Sequence, residues 1–116
     1  MWLMTKLGFF SVVEHRDDPS VLLVRARCEA DIKNAASATG CEWWTDENAD
    51  YPHRMMCDRE RWASTVAKIT NDIDYDNFKS SVTDERHLSA YHRVWIDMLY
   101  IDDRIVSDEE TFGDML

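Results

Sequence analysis

Glycine and proline are scarce in this sequence, with three and two copies among 116 residues, and no segment repeats. So few turn formers, beside many bulky apolar side chains, exclude a disordered or low-complexity chain. The scarcity of glycine also removes the phosphate-binding loop and the dinucleotide fingerprint, and neither G-x-S-x-G nor H-E-x-x-H occurs. We therefore predict a protein that is not an enzyme and has no cofactor.

Cysteines and long apolar runs are few as well. Cys28, Cys41 and Cys57 are an odd set without a C-x-x-C pair, which argues against a disulfide framework and a thiolate zinc site. We expect reduced, mostly buried thiols and a cytoplasmic location. No window holds the roughly 18 apolar residues that cross a bilayer, and residues 1–10 lack a cleavage site, so we expect neither membrane association nor a signal peptide.

Negative charge is what the chain has in excess, with a net charge of -10. Residues 1–45 carry five Lys and Arg against six Asp and Glu, whereas residues 46–116 carry eight against seventeen. Nucleic-acid phosphates would meet carboxylates there, so we expect a basic protein partner and no direct binding of nucleic acid. A homo-oligomer is left open.

The apolar patterns predict an α+β fold, in which a small antiparallel sheet packs against two to three helices. Leu7–Glu14 and Val21–Arg27 indicate a hairpin around the polar turn 15–20, and His53–Cys57 indicates a third strand. The segment Cys41–Pro52 is rich in turn formers and has no clean period, which predicts a loop.

Three stretches predict helices. Glu29–Ser37 is Ala-rich and should stop near Gly40. Asp58 stands at the N-cap position of a second helix, with Trp62, Val66, Ile69 and Ile73 at helical spacing. A short helical turn over Asp76–Val82 comes next, and Thr83 then caps a longer helix. The apolar stripe of that helix should face the sheet or another helix and consists of Leu88, Tyr91, Trp95, Met98 and Leu99.

Candidate partner-binding residues are the carboxylates near the C-terminus and two tryptophans. We assign one domain to residues 1–104 and an acidic tail to residues 105–116. The carboxylates, which could imitate phosphates in the groove of a nucleic-acid enzyme or simply form a solvated face, are Asp97, Asp102, Asp103, Asp108, Glu109 and Glu110. Trp43 and Trp44 either fold over the core or anchor the partner.

Three arginines support an alternative. Arg25 and Arg27 lie two apart on a predicted strand and share a face, and Arg54 lies on the neighbouring strand. Together they could hold a phosphate or carboxylate, with His92 as an acid or base, which would make the protein an anion- or nucleotide-binding module or enzyme. They could instead pair with acidic residues of the chain. A structural oligomeric component is a third reading.

Metal binding is not predicted. Asp72-x-Asp74-x-Asp76 resembles the start of a calcium loop, but Asn77 and Thr83 stand where that loop needs Gly and Glu. The histidines at 87 and 92 lie five apart on a predicted helix, so they point about 140 degrees away from each other.

Six motifs together resemble a family of small uncharacterised bacterial and phage proteins: MWLxT (1–5), GFFS (8–11), VRAR (24–27), DYPxR (50–54), DIDYxNFK (72–79) and YHxVW (91–95). The resemblance spans the chain to about residue 100 and implies a compact α+β domain with no known activity. The chain departs from the family in its acidity and in its tail after Arg104. The leading hypothesis is a small acidic inhibitor or regulator of a nucleic-acid-processing protein, by analogy with phage counter-defence and anti-CRISPR proteins.

Overall fold

A computed structural model describes residues 1–106 of the chain. The chain divides into two compact units, Met1–Asp76 and Asn77–Leu116. The first unit contains an antiparallel sheet with two helices, and the second contains short helices, so the predicted α+β class is confirmed. The assignment of one domain to 1–104 with a tail from 105 stays a prediction. Within residues 1–106, no helix is long and apolar enough to cross a membrane.

Five strands form the sheet, in the spatial order β1-β2-β3-β5-β4. They are β1 (Trp2–Thr5), β2 (Gly8–Glu14), β3 (Val21–Ala26), β4 (Trp43–Thr45) and β5 (His53–Asp58). All neighbouring pairs are antiparallel. The hairpin of β2 with β3, and the strand β5, lie where the sequence predicts them, whereas β1 and β4 are additional.

Strand β1 is joined to β2 by a turn that lacks the usual turn residues. Thr5 pairs with Gly8, so only Lys6 and Leu7 form the turn, without the Asn or Gly that two-residue hairpin turns favour. The Thr5 side chain compensates, because its Oγ1 accepts a hydrogen bond from the Leu7 N–H and donates one to the Gly8 carbonyl, both at 3.0 Å. Hydrogen bonds of the Thr5 side chain therefore stabilise a turn that the residue types at positions 6 and 7 do not predict.

The predicted loop over Cys41–Pro52 is wrong at one place, because Trp43–Thr45 pairs with β5 as the edge strand β4. Trp43 pairs with Met55 and packs against the core, whereas Trp44 pairs with Arg54 on the other face. Three residues are too few to display a strand period, so pairing with β5 decides the conformation.

Helices α1 (Glu29–Thr39) and α2 (Arg59–Asn71) pack on one face of the sheet. Helix α1 ends at Gly40 as predicted, and this glycine has a φ of 77°. Asp58 precedes α2 as predicted, but its side chain makes no capping hydrogen bond. Ile73 was predicted on this helix and lies beyond its end, exposed to solvent.

The core lies between the sheet and these two helices. Phe10, Val24, Ile32 and Met55 are completely buried there. The Trp62 ring of α2 packs edge-on against the Phe10 ring, with 5.9 Å between centroids. Helix α2 therefore contacts β2 through an aromatic pair and packs against β3 and β5 as well.

The second unit consists of short helices as far as it is described. They are α3 (Phe78–Ser81), α4 (Glu85–Asp97), a 3₁₀ turn (Met98–Ile101) and α5 (Asp103–Val106). The cap of α4 is Asp84 and not the predicted Thr83, since the Asp84 carboxylate accepts a hydrogen bond from the His87 N–H at 2.9 Å. The predicted stripe of α4 is only partly packed, because Tyr91 stacks on Phe78 at 5.5 Å while Trp95 is 55% exposed.

The three cysteines all lie within the described residues, and none forms a disulfide. Only Cys57 is buried, whereas Cys28 and Cys41 are half-buried, so the expectation of mostly buried thiols is wrong for two of the three. Burial, followed by the hydrogen bond with Cys41, raises the pKa of the Cys57 thiol from 9.0 to about 12.

We expect Cys57 to resist iodoacetamide at neutral pH in the folded protein and to react in urea, because the thiolate is the reactive form. Its pKa is raised on folding, so the folded state keeps a proton that the unfolded state loses. Stability should therefore fall as the pH rises from about 9 towards 12, and less so in a Cys57→Ala variant. Alkylation read by mass spectrometry and urea titrations at pH values inside and below that window check this. Equal labelling of folded and unfolded Cys57 would contradict it.

Candidate interaction surface on the sheet

The face of the sheet opposite α1 and α2 carries no helix of the first unit. Residues paired across all five strands form one row on it: Trp2, Ser11, Arg25, Arg54 and Trp44. Side chains two residues away along a strand point to the same side. We call this row, with its neighbours Phe9, Val13, Leu23 and Met56, the open face.

Large apolar side chains stand exposed on the open face. Trp2 is 71% exposed, Trp44 is 41% exposed and Met56 is 49% exposed. The two tryptophans end the row on the outer strands, about 19 Å apart at the usual spacing between strands. Exposed tryptophan rings on both edge strands of one sheet face favour a docking surface.

The structure brings the three predicted arginines together. Arg25 and Arg54 are direct partners on β3 and β5. The guanidinium groups of Arg25 and Arg27 lie 4.8 and 4.5 Å from the ring centre of Tyr51, a buried residue. Tyr51 was not among the predicted site residues, although the D-Y-P-x-R motif contains it. This cluster thus has an aromatic centre that the sequence alone did not indicate.

Each arginine also donates a hydrogen bond within the chain. Arg25 bonds the Ser11 hydroxyl at 2.7 Å, Arg27 bonds the Asp50 carbonyl at 3.0 Å and Arg54 bonds the Tyr51 carbonyl at 3.0 Å. The last two bonds hold the loop between β4 and β5 against the sheet. Their geometry favours the reading in which the arginines stabilise the chain itself.

The other predicted residues of the anion-binding and acidic sets lie in the second unit. The exposed His92 ring stacks on Trp95, with 5.7 Å between centroids. Asp97, the last residue of α4, and Asp103, the first of α5, are both exposed. These two carboxylates are available to a partner.

Asp102 is held within the chain. Its carboxylate accepts a hydrogen bond from Arg104 Nε at 2.8 Å, and hydrogen bonds from Arg104 keep the pKa of this carboxyl well below its usual range. It is therefore less available than its neighbour Asp103. The candidate residues Asp108, Glu109 and Glu110 lie outside the described residues.

Comparison of the chain with family models, with curated proteins and with solved structures finds no match. The resemblance to small bacterial and phage proteins stays a prediction. What the open face does must therefore be inferred from its own residues.

Proposed function

We propose that this protein is a non-enzymatic interaction protein and that the open face is its docking surface. The supporting observation is the exposure of Trp2 and Trp44 at the two ends of one row across the sheet. Tryptophans are the side chains that most often dominate binding energy at interfaces. The arginines between them each donate a hydrogen bond within the chain, so the chain itself holds them in this surface.

The partner we propose is a basic protein, and the protein acts on it as an inhibitor or regulator. The net charge of -10 supports this, as do the exposed Asp97 and Asp103. Such a field steers a cationic surface towards the protein and repels nucleic acid. Proteins that process nucleic acids carry basic grooves, so mimicry of their substrate, as in phage counter-defence and anti-CRISPR inhibitors, is the proposed mode of action.

Exchange of both exposed tryptophans should abolish tight binding. We expect Trp2→Ala with Trp44→Ala to weaken the complex by about 100-fold or more, because each ring contributes as an interface anchor. The partner is first isolated by pull-down as a stoichiometric basic protein, and the dissociation constant is then measured with purified components. Trp95→Ala is the control, since Trp95 is 55% exposed, between Trp44 and Trp2, but is not part of the open face, and it should weaken the complex far less than the double variant.

The charge of the partner is tested separately in the same system. Reversal of Asp97, Asp103, Glu109 and Glu110 to Lys should slow association about tenfold at low salt and have little effect at high salt. An unchanged rate would reject the basic partner but leave the docking surface standing. If the pull-down recovered only the protein itself, the structural oligomer would be favoured. If the parent bound phosphate and the Arg25→Lys variant did not, the anion-binding module would be favoured.

A further inference from the structure

The first unit contains a cleft on the side of the sheet where the helices lie. It is lined by the turn between β1 and β2, the C-terminal part of α1, the helix α2 and the segment that follows α2. Its volume is about 720 Å³, which is in the range of sites for small molecules. The apolar side chains in its wall are those of Leu7, Ala38, Ile69 and Tyr75.

The charge of this cleft is opposite to that of the unit around it. Lys6, Arg61 and Lys68 line it, and Asp72 is the one carboxylate residue among the lining residues. The first unit as a whole has nine Lys and Arg against fourteen Asp and Glu. Three cations therefore converge on a concave surface of a unit that is otherwise acidic, which marks a site for an anion.

Exposed ion pairs hold the two lysines, and Lys6 Nζ also lies over the Tyr75 ring, 5.6 Å from its centre. Lys68 Nζ lies 2.8 Å from an Asp72 carboxylate oxygen, and Lys6 Nζ lies 3.5 Å from an Asp74 carboxylate oxygen. Exposed ion pairs contribute little to stability, so an entering anion can replace either carboxylate at small cost. The lysines can thus turn from their present partners to a ligand.

Arg61 supplies a planar donor group at the same cleft. Among the described residues it makes one hydrogen bond, from Nη1 to the Thr39 carbonyl at 3.2 Å. That bond holds the side chain in place, and the remaining N–H groups of the guanidinium stay available for the oxygens of an anion. The hydroxyl groups of Ser37 and Ser64 lie in the same wall and add donors.

We propose that this cleft binds a phosphate monoester of small size with an apolar or aromatic body. The cations would hold the phosphate, and Leu7, Ile69 and Tyr75 would contact the body. A doubly charged phosphate matches three converging cations better than a carboxylate does. This site is independent of the open face and of the partner proposed for it.

The test is a titration of the ¹⁵N-labelled protein with phenyl phosphate, followed by amide chemical shifts. We expect saturable shifts in residues 37–38 and 61–69, and binding at least about fivefold weaker for benzoate, inorganic phosphate and benzyl alcohol. Lys6→Gln with Lys68→Gln should weaken binding of phenyl phosphate about tenfold or more. Lys33→Gln is the matched control, since Lys33 is also an exposed helix lysine with an acidic partner four residues away, at 3.7 Å, but does not line the cleft.

Three results would overturn the proposal. One is the absence of shifts in the cleft at about 10 mM phenyl phosphate. Another is equal affinity of the double lysine variant and the Lys33→Gln control. The third is equal affinity for benzoate, which would mean that the cleft selects any aromatic anion and not a phosphate.

Discussion

Replacement of Gly8 by alanine is expected to lower the free energy of unfolding by about 3 kcal/mol or more. Gly8 has a φ of 141°, which residues other than glycine rarely adopt. A Cβ at this position would lie 2.2 Å from Asp31 Cγ. Asp31 cannot easily move away, because it is only 4% exposed and its carboxylate accepts a hydrogen bond from the Phe9 N–H at 3.0 Å. The turn into β2 and the start of α1 are therefore packed against each other without space for a methyl group.

Gly40→Ala is the matched control for this prediction. Gly40 also has a positive φ, of 77°, but a Cβ there would meet only Arg61 Nη1, at 3.7 Å. Its replacement should cost only about 1 kcal/mol, from the backbone conformation alone. Urea titrations followed by tryptophan fluorescence measure both values. Equal losses in the two variants would show that the contact with Asp31 does not limit stability.

The elements with a visible period or a clear stop were predictable from the sequence. Strands β2 and β3 are apolar runs on either side of the polar turn 15–20, and α1 ends at the glycine that predicts its end. Strands β1 and β4 were not predictable in this way. The turn before β2 depends on a hydrogen bond of the Thr5 side chain, and β4 is defined by its pairing with β5. Such long-range pairing leaves no local signal.

The candidate sites follow the same division. Arg25 lies beside Arg54 because β3 pairs with β5, as a neighbouring strand predicts. Arg27 follows the end of β3, and the Tyr51 ring brings its guanidinium next to that of Arg25. The opposite directions of Trp43 and Trp44 need the strand β4, and Trp2 becomes part of the open face only through β1. The cleft depends on how α1 packs beside α2, which no motif encodes. The pairing of two predicted strands is therefore readable from the sequence, and surfaces assembled from several elements are not.

Phe9 and Phe10 lie on opposite faces of the sheet, so the stability losses of their alanine variants compare the two faces. Phe10 is completely buried against Trp62, and Phe10→Ala is expected to cost about 4 kcal/mol of unfolding free energy, with the cavity it leaves included. Phe9 is half-buried on the open face. Its ring centroid lies 6.2 Å from that of Trp2 and 6.4 Å from that of Tyr51. Phe9→Ala should cost only about 1 kcal/mol, because fewer apolar contacts are lost.

The two variants are matched in residue type and adjacent in sequence, so chemical denaturation compares the two faces directly. A larger loss for Phe10→Ala is expected because the side chains of a strand alternate between a packed core and a surface. Phe9→Ala should in addition weaken the complex with the partner, since it removes the edge-on ring contact that orients Trp2. If both variants lost the same stability, the open face would have to be part of a second core, and its tryptophans would serve folding and not docking.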